Sequence, residues 1–177
     1  MKNISLSQEV KTIVRGMVLN AAKFKLEVLT TFLLFDSMMS QKQFSSLIAK
    51  YSSCNLEGII NLIENIYKNN PFGFNEKEVE TIEERDYFIS VLKDSDIDNP
   101  QNFIFSQWIA NVFFFAYILV ESDEEQELTL SHLTLALFNN LNDQMLSFFT
   151  DIGTNIEQLI SQVEYLSLLD SCIEDDS

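Results

Sequence analysis

Apolar residues recur at three- and four-residue spacing along most of the chain, and that period predicts helices rather than strands. Between Ser7 and about Lys23, Val10, Ile13, Val14, Met17, Val18 and Ala21 fall on one stripe, with Glu9, Lys11 and Arg15 opposite. "LTTFLLFDSMM" (29–39) reads as a second helix opened by Thr30 or Thr31, and "QFSSLIAKY" as a short third one carrying Phe44, Leu47, Ile48 and Tyr51. Asn55 then caps a fourth helix, with Leu56, Ile59, Ile60, Ile63 and Ile66 as its apolar stripe. Four glycines and two prolines leave few strand-bounding turns, so the expected class is all-α.

The same order of elements returns downstream, starting with an apolar helix from about Ser106 to Glu121 and continuing with "LTLSHLTLALF" (128–138). A shift of 100 residues sets Leu33 on Leu133, Asn55 on Asn155, Glu57 on Glu157, Ile60 on Ile160 and Glu64 on Glu164. A shared cap and two shared glutamates in one register indicate an internal repeat. The expected organisation is a single domain over 1–177: repeat one about 6–67, an inserted connection about 68–104, repeat two about 105–169, and a frayed acidic tail over 170–177. Within the connection, Pro71 and Gly73 break the chain. Asn75 with Glu78 then makes a capping-box signal for an extra helix to about Lys93, and Pro100 closes the segment.

These residues resemble the repeat of the Clp amino-terminal domain, the all-α module at the front of Clp-type protein-unfolding ATPases. Thr129, Ser131, His132, Leu133, Leu135, Ala136 and Leu137 match the family's second-helix stretch, with serine where the family favours glutamate. "NIEQLISQVEYL" is of the kind of its later capped helix, opened by Asn155 here and by Asn55 in the first copy. The first repeat is further from the pattern and places Phe32 at the histidine position. The resemblance implies two four-helix Clp-type repeats packed in pseudo-two-fold fashion, here with an extra helix between them. It also implies a freestanding module, since the chain has no G-x-x-x-x-G-K-[ST] loop and no room for an ATPase domain. Such a module would bind an adaptor, a substrate peptide or a Clp-type ATPase, with no cofactor.

Charge narrows the partners. Eleven basic residues stand against 27 acidic ones, a formal net charge of −16, which repels phosphate backbones and anionic membranes and so excludes nucleic acid. The most apolar run, 108–120, falls short of the roughly 20 residues a membrane span needs. No export signal opens the chain, so the cytoplasm is the expected location. Cys54 and Cys172 lack metal-site spacing and read as reduced thiols. The acidic runs put Glu121, Asp123, Glu124, Glu125 and Glu127, Glu80, Glu83, Glu84 and Asp86, and the tail residues Asp170, Glu174, Asp175 and Asp176 forward as a face for a basic partner. A second function follows from that face: an immunity protein that covers a basic toxin domain.

Catalytic chemistry finds no support. His132 is the single histidine, and as third residue of the helix opened by Thr129 it serves to bond back to the cap. Asp94, Asp96 and Asp98 sit at calcium-loop positions one, three and five, but Asn99 and Phe105 occupy positions that require glycine and glutamate. The acidic runs lack the cleft and the raised carboxyl of glycoside chemistry. The run Phe113, Phe114, Phe115, Tyr117 covers most of a helical turn, so part of it must meet the other repeat, the inserted helix or a partner. The expected role is core packing between repeats, and the alternative that the resemblance implies is an exposed hydrophobic groove for a peptide.

Overall fold

The computed structural model describes residues 3–69 and 76–175, with side chains as far as Leu166. After strand β1 (Ser5–Leu6) come α1 (Gln8–Lys23), β2 (Val28–Leu29), α2 (Thr31–Met38), α3 (Lys42–Lys50) and α4 (Leu56–Asn69). The inserted helix α5 (Ile82–Asp94) leads through a 3-10 turn at 100–102 to the second set: β3 (Ile104–Phe105), α6 (Gln107–Ser122), β4 (Glu127–Leu128), α7 (Leu130–Phe138), α8 (Asp143–Asp151) and α9 (Ile156–Asp175).

Caps set most helix starts. Ser7 Oγ accepts from Val10 N–H and Ser106 Oγ from Ile109 N–H at the equivalent points of α1 and α6. Thr30, not Thr31, is the cap of α2, and Thr129 is the cap of α7. Asn55 and Asn155 accept from Gly58 and Gln158 N–H at the starts of α4 and α9.

The repeats exchange strands. β1 pairs in parallel with β4 and β2 with β3, so the residue entering each first helix bonds to the other repeat: Ser7 N–H donates to Leu128 O at 3.0 Å and Ser106 N–H to Leu29 O at 2.9 Å. α1 and α6 both end in a left-handed residue, Lys25 and Glu124, each at φ 56°. At the far end the α3–α4 and α8–α9 loops join, Asn155 N–H donating to Tyr51 O at 2.7 Å and Ser53 N–H to Ile152 O at 3.0 Å. These reciprocal contacts give the pseudo-two-fold arrangement that the resemblance implies.

One continuous core results. Phe35 packs edge-on against Phe44, Phe148 and Phe149, drawing α3 and α8 onto α2; burying a ring of this size is worth roughly 2–3 kcal/mol. The aromatic run on α6 meets the inserted helix, with Phe88 against Phe113 and Tyr87 against Phe114 and Tyr117.

Several expectations are corrected. The repeat register is 99 for the first two helices, since α1 and α6 begin at 8 and 107 and their followers at 31 and 130. It is 101 for α3 and α8, and 100 only from α4 and α9 onward. The counterpart of His132 is therefore Leu33 and not Phe32. On α4, Ile59, Ile63 and Tyr67 are buried, whereas Leu56 and Ile60 face solvent. The inserted helix starts after Thr81, not at Asn75, because Glu78 bridges Ser106 and Val79 N–H is taken by Phe105 O; Asn75 itself lies outside the described residues. The backbone past Leu169 is helical to Asp175, with no glycine or proline to end it.

Candidate docking surfaces

The predicted acidic residues lie on different elements. Glu121, Asp123, Glu124, Glu125 and Glu127 are all exposed around the end of α6 and the turn into β4. That turn closes through Glu125 N–H to Val120 O, with Glu124 left-handed, so it displays carboxylates in a fixed backbone. Glu80, Glu83 and Asp86 are exposed and Glu84 half-buried at the start of α5, where Gln107 Oε1 accepts from Glu80 and Thr81 N–H and Lys77 pairs with Glu80 at 2.9 Å. Asp170, Glu174 and Asp175 belong to the helical backbone of α9, and Asp176 lies outside the described residues.

His132 is drawn to the first of these groups. Its Nδ1 accepts from Thr129 N–H at 3.0 Å, completing the capping box, and its Nε2 stands 3.5 Å from Glu125 Oε2. Burial lowers its pKa below the ordinary value, against the opposing pull of Glu125 and Asp123. One ligand atom each from Asp123, Glu125 and His132 lies within 4.8 Å of the others, a spacing that suits a metal. The capping bond argues otherwise. An Nδ1 that accepts from a backbone N–H leaves the neutral ring's proton on Nε2, the atom that would have to face the ion. Leu133, beside it, is fully buried.

A buried carboxylate that sequence reasoning missed ties the molecule together. Glu76 is 8% exposed, and its oxygens accept from Thr31 N–H, Thr31 Oγ1 at 2.6 Å, Ser106 Oγ at 2.6 Å and Asn142 Nδ2 at 3.2 Å. Thr31 opens α2, Ser106 caps α6 and Asn142 caps α8, so one side chain joins three helix starts from both repeats. Burial raises its pKa, and the four donors work against that rise. No local pattern distinguishes Glu76 from the exposed glutamates at 78 and 80.

Two grooves of similar size occupy pseudo-symmetric positions. One, about 390 Å³, lies between α3, α7 and α9, on Phe44, Leu47, Leu130, Val163 and Leu166, with Gln43 at its edge. The other, about 400 Å³, lies between α8 and α4, on Phe148, Leu62 and Ile66, with Asp143, Gln144, Ser147 and Asp151 along its rim. Gln43 and Gln144, and Leu47 and Phe148, correspond in the 101-residue register.

The chain is similar to the N-terminal domain of the caseinolytic protease associated chaperone ClpD from Arabidopsis thaliana, known from its crystal structure, with a TM-score of 0.64 over 96% of this chain and 97% of that one. The fold is that of a Clp amino-terminal domain. Sequence identity is 13%, so the likeness concerns the fold. No protein-family model and no curated protein matches the chain. The Clp-type match spans both repeats and the connection between them, consistent with the all-α class expected from the periodicity. Among the described residues no helix is long and apolar enough to cross a membrane.

Proposed function

We propose that the chain is a non-enzymatic protein-docking module, which binds an adaptor, a substrate peptide or a Clp-type ATPase. The observation that carries this reading is the Clp amino-terminal-type fold over nearly the whole chain, with two apolar-floored grooves at pseudo-symmetric positions. The commitment of His132 to a capping box supports it, because the one imidazole of the chain is held by a structural bond. Gel filtration of the purified chain with a purified Clp-type ATPase from the same organism tests the reading. Co-elution at a defined ratio is expected, and separate elution of the chain from the ATPase and from its adaptors would contradict it.

The exposed carboxylates of the α6–β4 turn favour a second reading, in which the same fold covers a basic toxin domain as an immunity protein. Co-expression with a toxin encoded next to it then restores growth. Unchanged killing removes this alternative.

A further inference from the structure

The two pseudo-symmetric grooves differ in charge. α3 and α8 correspond residue by residue, "KQFSSLIAK" against "DQMLSFFTD", so the positions held by Lys42 and Lys50 in one repeat are held by Asp143 and Asp151 in the other. Both aspartates are exposed and line the rim of the α4–α8 groove, and among the described residues no cation pairs with either. The floor beneath them, Phe148, Leu62 and Ile66, is apolar. Lys50 by contrast lies over the Tyr51 ring, 5.4 Å from its centre, and neither it nor Lys42 lines the α3–α7–α9 groove.

From this asymmetry we infer that the α4–α8 groove takes a cationic peptide segment of a partner protein, anchored by one bulky apolar side chain. The inference rests on the protein-docking reading and names the partner chemistry at one of its grooves. Asp143 and Asp151 stand eight residues apart on one helix, about 12 Å along its axis. An extended peptide covers that distance in about four residues, and alternate side chains share a face. The matching pattern is therefore a basic residue, an apolar residue two positions on, and a second basic residue two positions further. The bases meet Asp143 and Asp151 while the apolar side chain enters the groove. A second copy of the chain fits less well: at a net charge of −16 two copies repel, and α3, the one helix with the matching lysines, keeps Phe44 buried and offers no apolar anchor.

Fluorescence anisotropy of a labelled peptide, Ala-Lys-Ala-Phe-Ala-Lys-Ala, titrated with the whole chain tests the assignment. Saturable binding is expected. Replacing its phenylalanine by alanine should weaken binding, and replacing both lysines by glutamine should weaken it roughly threefold to tenfold. The double variant Asp143→Asn, Asp151→Asn should lose the same factor and then no longer distinguish lysine from glutamine, whereas Lys42→Asn with Lys50→Asn leaves binding unchanged. All four side chains are exposed, and circular dichroism verifies that the variants fold. Equal affinity of the aspartate variant and the wild type, or no saturation up to about 1 mM, would overturn the assignment. Sedimentation showing self-association that the aspartate variant loses would give the groove to a second copy and overturn it as well. A full-length partner that binds wild type and variant equally removes this groove while leaving the docking reading intact.

Discussion

His132 owes its position to the backbone and not to chemistry. Its repeat-one counterpart Leu33 fills the same third position of a helix, and there the cap hydroxyl of Thr30 accepts from Leu33 N–H at 3.5 Å without a reciprocal bond. In repeat two the imidazole supplies that bond, which requires an unprotonated Nδ1. Its folded-state pKa lies below the unfolded value, so its contribution to stability is complete above the ordinary histidine value of about 6.5 and is lost as pH falls through the lowered one. NMR titration should place the imidazole midpoint below that ordinary value. His132→Leu should remove this part of the pH dependence and cost about 1 kcal/mol at pH 8 through the lost back-bond. A midpoint above the ordinary value would contradict the capping assignment. The capping role was legible in the sequence from Thr129 and the three-residue spacing. The register was not, because apolar residues tolerate a one-residue shift and Phe32 and Leu33 look equally suitable opposite His132.

At the scale of elements, α1 and α2 pack through a small-residue contact. A Cβ on Gly16 would lie 2.6 Å from Ser37 Oγ, the hydroxyl that donates to Ile13 O across the two helices at 2.6 Å. Alanine at 16 gains up to about 1 kcal/mol of helix propensity, yet it must displace that hydroxyl. Gly16→Ala should therefore destabilise the wild type and stabilise a Ser37→Ala background. Urea unfolding of the four proteins measures the coupling, expected at about 1–2 kcal/mol, and additive effects would contradict the contact. Helix extents were largely legible, from Asn55 and Asn155 as caps and from the apolar stripes that start at about Ser7 and Ser106. The inserted helix was misjudged at its start because Glu78 and Val79 bond to the strand entering α6, a long-range competitor that no local capping signal reveals. The opposite charges of α3 and α8 became readable only once their 101-residue register was known.

The whole molecule is held as one unit by parts that each repeat lends the other: exchanged strands, joined loops and the Glu76 carboxylate at three helix starts. Glu76→Gln keeps the shape but replaces an accepting oxygen by a donating amide facing other donors. It should cost about 1–3 kcal/mol in urea unfolding at pH 7 with a single transition for the whole chain. An unchanged midpoint would show that the network holds nothing. Glu76 was invisible in the sequence because its partners come from positions 31, 106 and 142, distant in the chain and united only by the fold. Docking a protein is the role proposed for this acidic two-repeat module. Affinity purification from native lysate tests it most directly, with quantitative mass spectrometry and an unrelated helical domain of equal charge as control. A Clp-type ATPase, protease component or adaptor enriched over the control is the expected result, and recovery of the same proteins by both baits would contradict it.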